Sequence, residues 1–322
     1  MADSAPLEGD PSVTAPLSRF DGERPPAPAW FEHAIENRPE RNFTEVEGAA
    51  IETLAWGERG RPGLMFLHGA GAHADWWSFI APFFAADWRV CAISLSGNGR
   101  SGWRERYTID LYARETLAAA EAAGLFEAAE KPAIVAHSFG SAAGMTCART
   151  AGERLKGLVV LDSGVWPTRE HWRGPARRTR TNPVYPTMQA ALARFRLTPL
   201  QPCPNPFLLD YIAREGLTPA PLPGAEGGER GWTWRFDPFV WNKMDFTERM
   251  DGTEELRAVR CPLAFIQGER SRLLTPEVKA HTLANAPAGT PWIPVPEAEH
   301  HLMLDQPLAV VAALRSLLAV WP

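Results

Sequence analysis

The residues best placed for chemistry lie in Ala136-His137-Ser138-Phe139-Gly140, where the apolar run PAIVAHS (132–138) ends on one serine and the small-residue stretch FGSAAGMTCARTA (139–151) follows. A sharp strand-to-helix turn at that point would lift the Ser138 Oγ clear of its own backbone, and small neighbours make room for the bend. The start of the following helix also presents free N–H groups to a developing oxyanion. The general pattern is G-x-S-x-G, with Ala136 in place of the first glycine and small enough to keep the turn. Alone, a Ser-x-Gly is more simply a helix cap. A second segment changes that balance: FLHGAG (66–71) ends an earlier apolar run. His68-Gly69 lets the backbone approach a nucleophile, so the Ala70 N–H and the Phe139 N–H are the candidate oxyanion donors. For His68 and His137, which flank the site, holding loops by hydrogen bonds is the simpler role. A third segment, SLSGNGRSGW (94–103), is glycine-rich but lacks the spacing of a phosphate-binding fingerprint.

These segments need elements to carry them. FTEVEGAAIETLAWGE reads as a β-hairpin about Gly48. GLMFLHG (63–69), RVCAISL (89–95), PAIVAHS (132–138), GLVVLDS (157–163), CPLAFIQGE (261–269) and PWIPVP (291–296) are short apolar runs, the pattern of strands buried on both faces. Helical spacing falls between them, in 109–125, 139–151, 275–286 and 307–321, and ADWWSFIAPFFA is a further candidate helix. Alternating strands and helices predict an α/β fold with a doubly wound, mostly parallel sheet. Residues 164–250 break the alternation with many Pro, Trp, Arg and Gly residues, too long a stretch for a plain loop. They are expected to form an inserted lid subdomain between two parts of a core, 29–163 and 251–322. Residues 1–28, rich in Pro, Ala, Ser and acidic residues without apolar periodicity, read as a disordered tail.

Composition narrows the classes. The chain of 322 residues is 45% hydrophobic and 22% charged, enough to bury a sizeable core. Its net charge of −5 argues against a nucleic-acid partner, which calls for a basic face. The sequence holds no apolar run of membrane-spanning length and no recognisable signal peptide at its start. Cys91, Cys147, Cys203 and Cys261 are far apart, with no zinc spacing, and read as reduced thiols that fit a cytoplasm. The expected partner is a small-molecule substrate, with no membrane and no cofactor; a homodimer stays open.

With these motifs together the chain resembles the α/β-hydrolase fold family. The matching residues are His68-Gly69 with Trp76 downstream, Gly97-Asn98-Gly99-Arg100-Ser101, Ala136 to Gly140, and Glu299-His300-His301-Leu302-Met303-Leu304-Asp305-Gln306-Pro307. The resemblance covers about 45–162 and 255–322 and implies a late histidine base on the loop after the last strand. It places His300 in that role, with His301 pointing elsewhere or lining the pocket. A metal on the paired histidines is not expected, since no third ligand cluster lies nearby in sequence. The acid departs from the commonest pattern: the position after strand 261–267 where many relatives carry Asp is here Ser271. Some relatives place the acid at the end of the strand before the lid, which makes Asp162 the first candidate and Glu269 the alternative. A carboxylate ending a buried strand calls for a partner such as His.

A serine nucleophile separates the chain from relatives with Asp at that position. A Ser138-His300-Asp162 triad implies acyl transfer through an acyl-enzyme. The expected function is hydrolysis of carboxylic esters of small to medium apolar substrates; C–C bond hydrolysis of ring-cleavage products and a non-hydrolytic receptor on the same fold are the alternatives. The candidate substrate-binding residues are Trp76, just after the oxyanion loop, and Trp166, Trp232 and Trp234 of the lid, which also holds Trp172, Tyr185, Phe195, Phe236, Phe239 and Trp241. The basic run Arg169, Arg173, Arg177, Arg178 and Arg180 is read as a solvated lid face, with binding of an anionic substrate group as the sharper alternative.

Overall fold

The computed structural model describes residues 7–167, 177–225, 228–247 and 250–321. Helices α1 (Pro11–Thr14) and α2 (Ala29–Glu36) precede the hairpin β1 (Glu40–Val46) and β2 (Ala49–Trp56). Then come β3 (Gly63–Leu67), β4 (Arg89–Ile93), α3 (Ile109–Ala122), β5 (Ala133–His137), α4 (Gly140–Thr150) and β6 (Gly157–Leu161). Next lie α5 (Met188–Leu192), α6 (Pro206–Glu215), the hairpin β7 (Leu217–Pro221) and β8 (Arg230–Trp234), α7 (Val240–Lys243) and α8 (Gly252–Arg257). The chain closes with β9 (Leu263–Gly268), α9 (Pro276–Asn285), β10 (Trp292–Val295), α10 (Leu302–Asp305) and α11 (Pro307–Val320).

Eight strands form one sheet in the order β1-β2-β4-β3-β5-β6-β9-β10. The pairs β1–β2 and β2–β4 are antiparallel, and all other neighbours are parallel. The mostly parallel, doubly covered sheet expected from the alternating pattern is therefore present. Strand periodicity explains its two cores. Phe66, Ala92, Val135, Leu161 and Ile266 face one apolar cluster with α11, while Leu67, Ile93, Ala136, Val160 and Phe265 face another with α3 and α4. Since both faces are covered, the strands read as continuous apolar runs. β4 and β5 flank β3 on opposite sides. The winding reverses there, and the carboxyl ends of β3 and β5 open the crevice where such sheets bind ligands.

The helices between β6 and β9 are not isolated from this core. Leu192, Leu208, Leu209 and Ile212 belong to the same apolar cluster as Phe66 and Leu314. The Asp237 N–H donates to the Gly97 carbonyl at 2.8 Å, and the Tyr107 hydroxyl donates to Asp237 at 2.9 Å. This segment is thus fastened to the sheet at both its apolar and its polar contacts.

Two sequence expectations are corrected. ADWWSFIAPFFA forms two short 3-10 turns, Ala74–Trp77 and Ala81–Phe83, instead of one helix. Pro82 lacks the N–H that a continuous helix would need there, and the chain uses i to i+3 bonds such as Ile80 N–H to the Trp77 carbonyl at 2.9 Å. The tail expected to be disordered is ordered over its described part, from Leu7 onward. Asp10 caps α1 by accepting the Ser12 N–H at 2.8 Å, and Val13 and Leu17 are buried, Leu17 in the main cluster. Leu17 and Phe20 pack on the main cluster, contacts that leave no local period in the sequence. The Gly22 carbonyl then accepts Arg214 of α6 at 2.6 Å.

Candidate active site

Ser138 sits between the end of β5 and the start of α4 with φ of 50°, a left-handed conformation uncommon for a side chain with Cβ. Its N–H donates to the Leu161 carbonyl at 3.0 Å, and Ser141 braces the turn by donating to the Ala136 carbonyl at 2.9 Å. Two glycines make the bend possible. A Cβ on Gly140 would stand 2.4 Å from the His68 carbonyl oxygen, and one on Gly69 would stand 2.8 Å from His137 Nδ1 and 3.2 Å from Ser138 Cβ. The loop after β3 therefore lies directly against the serine. Among the described residues, the Ala70 and Phe139 N–H groups have no hydrogen-bond acceptor, and Ala70 is exposed. His68 fixes this loop: its Nε2 accepts the Leu95 N–H at 3.0 Å, so its Nδ1 carries the proton donated to the Gly69 carbonyl at 2.7 Å. Burial pushes the His68 imidazole down to about 4, which keeps that neutral tautomer.

The other half of the site comes from β6 and from the loop before α10. His300 Nε2 lies 2.9 Å from Ser138 Oγ, and His300 Nδ1 lies 2.7 Å from Asp162 Oδ2. A carboxylate only accepts, so Nδ1 holds the proton and the neutral ring offers Nε2 to the serine hydroxyl. Asp162 follows β6 with φ of 45° and is buried. Its charge is satisfied by three donors: His300, the Gly268 N–H at 2.9 Å on Oδ1, and the Ser271 hydroxyl at 2.6 Å on Oδ2. Glu269, the alternative acid, is exposed and accepts the Glu297 N–H at 3.0 Å. His137 donates from Nε2 to the His300 carbonyl at 3.0 Å. Burial, with His300 as a second cause, holds the His137 and His301 imidazoles well below their ordinary range. The arrangement can move a proton from Ser138 to His300 while Asp162 steadies the charge that results.

The remaining sequence candidates fall into different places. Trp76 is buried with its ring 5.5 Å from that of His301, beside the site. Trp166 is half-buried shortly after β6. Trp234 packs on Phe195 and Tyr185 at 5.8 and 6.5 Å, and Trp232 pairs its backbone with Tyr185. The described ring contacts bring neither to Ser138 or His300. Trp241 of α7 does reach the turn, with its ring 4.7 Å from that of Phe139. Among the arginines of the basic run, Arg178 lies over Phe236 at 5.6 Å; Arg169 and Arg173, like Trp172, lie outside the described residues. His137 holds the His300 loop by a hydrogen bond, the role expected from the sequence, whereas the sequence marks Trp241 only among the lid aromatics and Ser271 only as the position of a missing acid. Of these two, only Ser271 carried a signal, standing where relatives of the resembled family have the acid.

The imidazoles of His137, His300 and His301 offer nitrogens within 4.8 Å of one another. A metal bound at about 2.1 Å spans at most about 4.2 Å between two nitrogen donors. His300 already uses both nitrogens, toward Asp162 and Ser138, so the cluster as it stands does not fit an ion. No helix among the described residues is long and apolar enough to cross a membrane.

Comparisons with known proteins bear on the family and the fold. A profile described as alpha/beta hydrolase family matches residues 64–314. The chain is 26% identical over 296 residues to Esterase Rv0045c of Mycobacterium tuberculosis, covering 89% of this chain and 92% of that protein. It is 27% identical over 226 residues to Lipase LipV of the same organism, covering 68% of this chain and 82% of that protein. The solved structure of E-2-(Acetamidomethylene)succinate Hydrolase shares the fold, with a TM-score of 0.70 at 16% identity over 88% of this chain and 100% of that one.

Proposed function

The chain belongs to the alpha/beta hydrolase family, and from that premise we propose that it is a serine hydrolase of carboxylic esters of small to medium apolar substrates. The observation that carries the reading is the unbroken line Ser138 Oγ, His300 and Asp162, with contacts of 2.9 and 2.7 Å between residues from three separate segments. His300 Nε2 takes the Ser138 proton as Oγ attacks the ester carbonyl. The oxyanion of the tetrahedral intermediate receives the Ala70 and Phe139 N–H groups, which no protein acceptor occupies among the described residues. Collapse breaks the bond to the alkoxide, His300 protonates it, and the alcohol leaves an acyl group on Ser138. Water then gives a proton to His300 and attacks the acyl carbon; the acid departs and Ser138 regains its proton. Asp162 holds the reactive tautomer throughout. The curated relatives named as an esterase and a lipase support the ester class. Trp76 and Trp241 beside the site support an apolar acyl group, and the free cysteines fit a cytoplasmic setting.

A panel of nitrophenyl esters tests this function. The wild type should turn over short and medium chains, and Ser138→Ala should stay folded while kcat falls roughly 10³- to 10⁶-fold. No ester turnover by the wild type, together with cleavage of vinylogous diketones, would move the assignment to C–C hydrolysis.

A further inference from the structure

Resting on the ester-hydrolase reading, we infer that Gln201 is a positioning residue: its side-chain amide, reaching in from the segment between β6 and β9, ties Asp305 to the His301 N–H and thereby fixes the backbone that carries His300. Gln201 is only 3% exposed. Its Nε2 donates to both Asp305 oxygens, at 3.1 and 3.0 Å, and its Oε1 accepts the His301 N–H at 2.9 Å. Asp305 Oδ2 also accepts the Glu299 N–H at 2.8 Å. The backbone N–H groups immediately before and after His300 thus end on one buried amide–carboxylate pair. The His300 carbonyl between them is held by His137. Nearby, Asn205 Nδ2 donates to the Leu304 and Asp305 carbonyls at 2.8 and 3.1 Å, anchoring α10 to the same segment.

Packing alone does not account for this pair. A buried carboxylate beside a buried amide is a costly way to fill space, and apolar residues of similar volume are often as stable or more so. What the pair adds is direction. Gln201 presents a donor to Asp305 and an acceptor to His301 from one rigid plane. Asp162 orients the far side of the His300 ring through Nδ1, but it leaves the Cα position open. That position sets how close Nε2 comes to Ser138, where a misplacement of about 1 Å can lower a rate about 100-fold. The segment between β6 and β9 would then serve the reaction itself as well as cover the crevice.

The test is an exchange of polarity. Gln201→Ala removes the clamp, and Gln201→Glu sets a second carboxylate against Asp305. In the double variant Gln201→Glu/Asp305→Asn the two groups trade roles: the amide at 305 donates, the carboxylate at 201 accepts, and the Glu299 and His301 N–H groups keep their acceptors. Circular dichroism identifies the folded variants. The expected result for each single variant at 201 is kcat lower by about 10- to 100-fold with KM little changed; the double variant should recover most of kcat. Wild-type kcat in folded Gln201→Ala, or a folded double variant no faster than the single variants, overturns the inference. If Gln201→Glu does not fold, Gln201→Ala is the reference for recovery. If the wild type hydrolyses no ester, the ester reading fails separately, and the rate of Ser138 phosphonylation by a fluorophosphonate reads the same variants.

Discussion

At the scale of single residues, Ser271 and His300 meet at one carboxylate, that of Asp162. Ser271 stands where the resembled family usually has Asp, and its hydroxyl instead donates to Asp162 at 2.6 Å. The carboxylate that meets His300 Nδ1 is Asp162 at the end of β6, and Ser271 belongs to its hydrogen-bond shell. Four imidazoles crowd this region, and burial keeps three of them neutral. His68 is pushed down to about 4 from an ordinary value of 6.5, and His137 and His301 also fall well below it. Below pH 6.5 the unfolded chain takes up these three protons and the folded chain does not, so stability is lost as pH falls. Each histidine removes up to about 1.4 kcal/mol per pH unit in that window. Asp305 opposes the trend. Burial raises it to about 7 from 3.8, so the folded state binds its proton first and stability rises as pH falls through that range. Glu115 and Glu299, also raised by burial from an ordinary value of 4.5, act in the same sense as Asp305 and offset part of the loss set by the three histidines. Calorimetry should therefore show Tm falling steadily from pH 7 to pH 5. A Tm that is flat or rising over that interval would contradict the neutral-histidine cluster.

At the scale of elements, α7, in the segment between β6 and β9, reaches the nucleophile turn directly. Its Trp241 packs edge-on to Phe139, and the helix is fixed by Asn242 and by the Tyr107 N–H donating to the Lys243 carbonyl at 3.1 Å. Trp241→Ala should change preference along an acyl-chain series more than it changes kcat/KM on the shortest ester, because large apolar contacts serve binding more than bond-making. Trp234→Ala, whose ring packs with Tyr185 and Phe195, and Trp232→Ala, whose backbone pairs with Tyr185, should lower Tm more than they change selectivity. An unchanged chain-length profile in Trp241→Ala would remove that residue from the pocket. The strands and the reacting residues were legible in the sequence because each has a local signature: an apolar run ending in Gly, Ser or Asp, or a histidine ahead of D-x-P. Gln201 and Trp241 have none. Their roles arise where distant segments meet, in a stretch whose Pro and Trp content marks an insertion without fixing its contacts. The ordered part of the N-terminal segment escaped for the same reason, since Val13 and Leu17 find their partners only in the folded body.

At the scale of the whole molecule, the sheet brings together residues that are far apart in the chain. β3 and β5 are neighbours, so the His68–Gly69 loop meets Ser138. β6 lies between β5 and β9, so Asp162 ends beside the turn and next to Gly268 and Ser271. The loop from β10 to α10 then lowers His300 between Ser138 and Asp162. We propose that this line works as one nucleophilic relay with Asp162 as its acid. The most direct measurement is fluorophosphonate labelling with the adduct mapped by peptide mass spectrometry, timed in the wild type, Asp162→Asn and Glu269→Gln. One adduct is expected, on Ser138, formed at the wild-type rate in Glu269→Gln and slowed by up to about 10⁴-fold in Asp162→Asn. An adduct on Ser141 or Ser163, or a slow Glu269→Gln beside an unimpaired Asp162→Asn, would contradict it.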